Sequence, residues 1–205
     1  MKRILSIFTA LVIAALPAFA GSDGVETKSG SVRPKNEVSV SYGTLSIPHF
    51  ANILGGVFGT AFTGGLAKVD KIATSGAIGI DYMNYLNSHI AVGGSIVEEC
   101  LTLTFDSYNG KDEDGNATYK DGEDQHNNYV TIMPVAKLPW FYYDHFSMYS
   151  KAGAGVCVGT NTGDVTFGMQ LSPIGLDFGG KAFRGFAEIG FGMQGFLLAG
   201  LRWGF

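Results

Sequence analysis

Alternation with a period of two runs through this chain from Glu37 to its last residue. Successive side chains of a strand leave on opposite faces, so alternating apolar and polar positions mark strands that separate two environments. The clearest run closes the chain. Leu197, Ala199, Leu201, Trp203 and Phe205 are apolar, and between them stand Phe196, Leu198, Gly200, Arg202 and Gly204. Seven earlier segments repeat the pattern. The first starts at Glu37, with Val38, Val40 and Tyr42 on one face. The second, Ser75 to Tyr85, aligns Ile78, Ile80 and Tyr82. The third alternates from Ile90 to Ile96 and resumes at Leu101, Leu103 and Phe105 with opposite parity, which predicts a β-bulge near Glu98-Glu99. The fourth, Tyr129 to Leu138, contains Pro134, which cannot donate to a ladder and predicts a local break. The fifth spans Phe146 to Val158. The sixth begins at Val165 and turns near Gly179-Gly180. The seventh, Phe183 to Met193, sets Ala187, Ile189, Phe191 and Met193 on one side.

Two stretches break the rhythm. From Ile47 to Gly65 the apolar residues recur at spacings of three and four, with glycines between, which predicts a long first loop carrying a short helical turn or lid. Asp106 to Asn128 holds seven carboxylates against Lys111 and Lys120 and is expected to be a solvent-facing loop. Asp112-Glu113-Asp114-Gly115-Asn116 within it has its glycine too early for a calcium loop, so no metal site is assigned.

Sorted by face, the strand charges fall together. Glu37, Asp81, Glu99, Lys137, Lys151, Arg184, Glu188 and Arg202 share the face opposite the apolar stripe. Eight strands close into a barrel whose interior is just wide enough for side chains to fill. The expected architecture is therefore all-β: an eight-stranded antiparallel transmembrane up-and-down β-barrel with apolar residues outside and a neutralised charge network in its lumen. Four acids and four bases in that list allow mutual pairing.

The first residues carry an export signal. Lys2 and Arg3 precede the apolar run Ile4 to Leu16, and Ala18-Phe19-Ala20 offers small residues for cleavage. The expected division is thus a signal peptide at 1–20, a flexible periplasmic leader at 21–36 and a barrel at 37–205. Only 16% of residues are charged and 30 are glycine, against the ~25% charged usual in soluble domains. The net charge of −4 and the lack of a basic patch argue against nucleic acid as a partner. Cys100 and Cys157 fall on strands two apart and are expected to be separate thiols.

The closing segment, with Gly200, Trp203 and the terminal Phe205, resembles the C-terminal assembly signal of bacterial outer-membrane barrels. The whole plan is similar to the outer membrane protein X and protein A transmembrane families. Ser172-Pro173-Ile174-Gly175-Leu176, followed by Phe186-Ala187-Glu188-Ile189-Gly190-Phe191-Gly192, resembles the closing half of uncharacterised barrels from Bacteroides-type bacteria. The resemblance implies residence in the outer membrane as a monomer, contact with membrane lipid and lipopolysaccharide, and handling by the barrel-assembly machinery. It implies no activity. His49, His89, His126 and His145 show no spacing that joins a nucleophile to a base and an orienting acid, so no catalytic residue and no cofactor are assigned. A non-enzymatic barrel with a structural or surface-interaction role is the expected function. A hydrophobic-ligand barrel, lidded by Ile47 to Gly65 and open sideways near Pro134, is the alternative. A lipid A-modifying enzyme stands behind both.

Overall fold

In the computed structural model, residues 24–26, 32–62, 67–112, 117–120 and 124–205 are described. The expected signal peptide at 1–20 and the run from Glu113 to Asn116 lie outside them. The elements in chain order are β1 (Val25–Glu26), β2 (Val32–Arg33), β3 (Asn36–Thr44), α1 (Ile47–Phe62), β4 (Ala67–Thr74), β5 (Ala77–Tyr85), β6 (Ala91–Lys111), β7 (Ala117–Lys120), β8 (Asp124–Tyr142), β9 (Phe146–Gly159), β10 (Val165–Gly179), β11 (Phe183–Gly192) and β12 (Leu197–Gly204). Each of β3, β5, β6, β8, β9, β10, β11 and β12 pairs antiparallel with the next, and β12 returns to β3. This is a closed eight-stranded up-and-down barrel, with no free edge around its circumference.

Closure at β12 and β3 matches Leu197 with Thr44 and Gly204 with Glu37. The Phe205 amide donates to the Asn36 carbonyl at 2.9 Å, so the first and last barrel strands end together. The turns between β5 and β6, β8 and β9, and β10 and β11 lie at that same end, called here the short-turn end. At the opposite, loop end, β6 and β8 continue their pairing up to Thr104 with Asp124. Strand β4 joins β6 above the point where β5 stops, and β7 pairs with the last residues of β6. The segment expected to be an acidic loop is therefore largely ladder. Of its carboxylates, Asp106 and Asp124 stand on strand arms, where Thr104 donates to Asp124 at 2.7 Å. Charge density marked it as solvated and concealed the pairing.

Three local expectations are corrected. No bulge occurs at Glu98-Glu99: β6 keeps one register with β8 from Ala91 through Thr104. The change in pattern reflects a change inside the barrel, because Leu101 and Leu103 are buried on the inner face. Pro134 does not break its strand, since Ile132 pairs with Val156 and Val135 with Gly153 in the same register. The shifts occur instead at Pro139/Phe141 and between Ser172 and Gly175, around Pro173. Finally, Met193 is not on the outer face. The β11–β12 turn folds into the lumen, burying Met193 and Gln194, and Gly195 takes φ 107 to allow it.

The first long connection is a helix of 16 residues followed by a strand, not a loop with a single turn. Ser46 caps it. The Phe50 amide donates to the Ser46 carbonyl at 2.9 Å and the His49 amide to Ser46 Oγ at 3.2 Å, which satisfies amides that a helix start leaves unpaired. Pro48 is tolerated because the first turn needs no donor there. Ile47 packs on the apolar cluster of the barrel interior. The leader also departs from expectation. Val25–Glu26 pairs with Val32–Arg33, and Arg33 is buried.

Candidate functional site in the filled lumen

All eight charges assigned to the inner face are buried. Six join one network. Lys137 Nζ lies 2.8 Å from Glu37 Oε1 and 3.6 Å from Asp177 Oδ2. Lys151 Nζ lies 3.1 Å from Asp81 Oδ2 and 2.9 Å from Glu188 Oε2. Arg202 joins the two groups: its Nε is 3.2 Å from Glu37, its Nη1 pairs with Asp177, and its Nη2 is 4.0 Å from Glu188. The register explains this meeting. On β11 and β12 Arg184 pairs with Arg202 and Glu188 with Leu198, so alternate inward positions stack down the bore.

Neutral groups complete the shells. Tyr85 donates to Glu37 and Tyr149 to Glu188, each at 2.8 Å. Tyr149 also accepts from Arg202 Nη2 at 3.0 Å, and its ring underlies Lys137 Nζ at 4.0 Å. Gly175 makes this possible, since a Cβ there would fall 2.4 Å from the Tyr149 ring. Gln194 reaches down from its turn to donate to Asp81 at 2.8 Å and Ser95 at 3.0 Å, while its amide donates to Gln170 at 2.8 Å. A buried charge left unpaired costs several kcal/mol, so this density of partners is what allows seven ions to share a narrow bore.

Two members of the expected network stand apart from it. Glu99 accepts from Ser46 Oγ and from Thr74 Oγ1 at 2.8 Å. It therefore ties α1 and β4 to the barrel and meets hydroxyls, not cations. Arg184 donates to the carbonyls of Gly180, Tyr143 and Asp144 and to Ser147 Oγ. Asp177, central to the network, was not foreseen. The shift at Pro173 moves the inward positions from Gln170 and Ser172 to Gly175 and Asp177, and a proline inside an alternating run was the available signal. Arg33 lay in a polar stretch with no period to place it.

Gly200, Trp203 and Phe205 occupy the closing strand and the residue after it. Gly200 lies where a Cβ would meet the Val40 carbonyl and the Phe186 ring. Trp203 is exposed on the outer face, with the Phe205 ring edge-on at 6.2 Å. The histidines are scattered: His89 contacts Ser88, His126 contacts Thr102 and His145 contacts the Gly179 carbonyl, while His49 sits in α1. Among the described residues no three metal-ligating side chains gather. Cys100 and Cys157 are free. Comparison with family models, curated proteins and solved structures finds no match.

The outer face is the reverse of the inner. Val40, Ile132, Val156, Leu171, Ile189 and Leu201 form an exposed aliphatic band around the barrel. Near the short-turn end it is edged by Trp140, Phe146, Phe178, Phe183 and Trp203, and toward the loop end by Tyr42, Phe167, Phe191 and Phe196. Glu98, beside Ile78 and Val130, marks where the band ends on β6. Above it the outward side chains become Thr102 and Thr104.

Proposed function

We propose that the protein is a monomeric, non-enzymatic barrel of the bacterial outer membrane, with a structural or surface-interaction role carried by its loop end. The observation that supports this most is the inverted distribution of polarity. A soluble barrel keeps apolar residues inside and polar ones outside; here seven paired ions lie in the bore and an aliphatic band edged by aromatics covers the wall. Transmembrane barrels show an apolar belt ~25 Å tall between aromatic girdles, and strands of ~9–11 tilted residues cross it. Strands β3, β5 and β11, of 9, 9 and 10 residues, suit that span. With the lumen filled by the charge network and by the apolar cluster beside it, the inside offers no route for a solute, which favours a role at the surface over transport. Membrane lipid and lipopolysaccharide are the expected neighbours of the belt, and the barrel-assembly machinery its expected means of insertion. The test is fractionation of a Gram-negative host expressing the full chain. The protein is expected in the outer-membrane fraction, resistant to carbonate extraction and faster on gels before boiling than after. Release by carbonate without detergent would overturn the reading.

A further inference from the structure

The short-turn mouth of the barrel carries two buried cations that stand outside the salt-bridge network. Arg33 and Arg184 are 2% and 4% exposed, and neither forms an ion pair with a described residue. Arg184 has its hydrogen bonds satisfied by three carbonyls and by the Ser147 hydroxyl, which itself donates to Asp177 at 2.8 Å. Arg33 lacks even these: Nη1 and Nη2 are buried with no hydrogen-bond partner. Its guanidinium lies 4.3 Å from the Tyr85 ring centre and 4.1 Å from that of Tyr142, and Arg184 lies 4.2 Å from the Tyr142 ring. Two cations thus share one tyrosine. Ring faces offset part of the desolvation of a guanidinium, but they do not neutralise it.

Beside Arg33 is a cleft of about 10 Å³, lined also by Tyr142, Lys181, Arg184 and Arg202, room for one water-sized group. The acids that line it, Glu37 and Asp177, are already committed to Lys137 and Arg202. We propose that this mouth is a binding site for an oxyanion, a phosphate group that seats one oxygen in the cleft against Arg33, where Arg33, Lys181, Arg184 and Arg202 outnumber Glu37 and Asp177. Guanidinium groups suit this task because their N–H forks match the oxygens of phosphate. Lys181, exposed at the rim and 3.6 Å from Asp144, supplies a screened charge on the approach.

Phosphate could arrive free or as the headgroup of an anionic lipid, and two arms separate these sources. In the first, the full chain refolded in dodecyl maltoside is titrated with sodium phosphate against sodium chloride of equal ionic strength, following thermal unfolding and phosphorus NMR line width. In the second, the chain is refolded into phosphatidylcholine vesicles with and without phosphatidylglycerol. A saturable, phosphate-specific stabilisation assigns the free anion; stabilisation by phosphatidylglycerol alone assigns the headgroup. In either arm Arg33→Gln is expected to weaken the effect about tenfold or more, Arg33→Lys less, and Lys111→Gln at the far end not at all. The site is rejected if neither arm responds, or if Arg33→Gln responds like the wild type. If Arg33→Gln fails to fold, absence of saturable line broadening with the wild-type chain rejects it equally. Such a failure leaves the membrane reading standing, because fractionation tests that separately.

Discussion

The two walls of the lumen are built on different physics. Strands β9 to β12 and β3 supply Lys151, Asp177, Glu188, Arg202 and Glu37, each held by several directed contacts. The wall of β5, β6 and β8 is mainly apolar. Ala77, Met83, Ala91, Val97, Met133 and Val135 pack as one cluster with Cys157 and Met193, and Asp81 and Lys137 are the charges that reach across from it. The charged wall needs every partner in place, because each lost partner strands an ion. The apolar wall needs only volume, which several side chains can fill. One bore therefore combines a brittle, specifying half with a forgiving one.

Substitutions should separate the two. The largest effect is expected from Glu188→Ala, which leaves Lys151 and Tyr149 short of an acceptor and should cost about 3–5 kcal/mol. Urea titration in lipid vesicles reads it, and a loss below that of a simple cavity would mean the network is not the brittle half. Ile132→Arg on the outer band comes next, at about 2–4 kcal/mol if it lies near a bilayer midplane. The same titration in vesicles checks it, and a neutral result would place the band outside the bilayer. Ser46→Ala should cost about 1–2 kcal/mol through loss of the helix cap. Here hydrogen exchange of the α1 amides should rise while the barrel strands stay protected; uniform loss of protection would show that cap and barrel unfold together. Smallest is Met133→Leu, a volume-conserving change in the apolar wall, expected below ~1.5 kcal/mol. A loss equal to that of Glu188→Ala would erase the contrast between the walls.

Strand number and face were legible because the period of two is interrupted by few defects. Val38, Val40 and Tyr42 opposite Glu37, Ser39 and Ser41 already divide inside from outside without any partner strand. Where the inner face itself changed character, the same reasoning misled. Leu101 and Leu103 read as a return to the outer face because an inner face was expected to be polar, and a bulge was required to explain them. Asp177 was lost for the opposite reason: a real shift at Pro173 went uncounted, so its parity was not followed. Arg33 shows a third kind of failure. Its burial depends on Tyr85 and Tyr142, residues 52 and 109 positions away by number, and nothing local announces them.

By itself the sequence determined the closed all-β architecture, the two faces of most strands and eight of the charges that share the interior. Those follow from backbone geometry, which couples every residue to its neighbours two away. Only the tertiary structure decided who meets whom. The pairing of Lys137 with Glu37, the bridging place of Arg202, the separation of Glu99 and the descent of Gln194 depend on the stagger between strands and on a turn folded inward. Register is set by contacts all around the barrel at once, so it is a property of closure, and no single strand contains it.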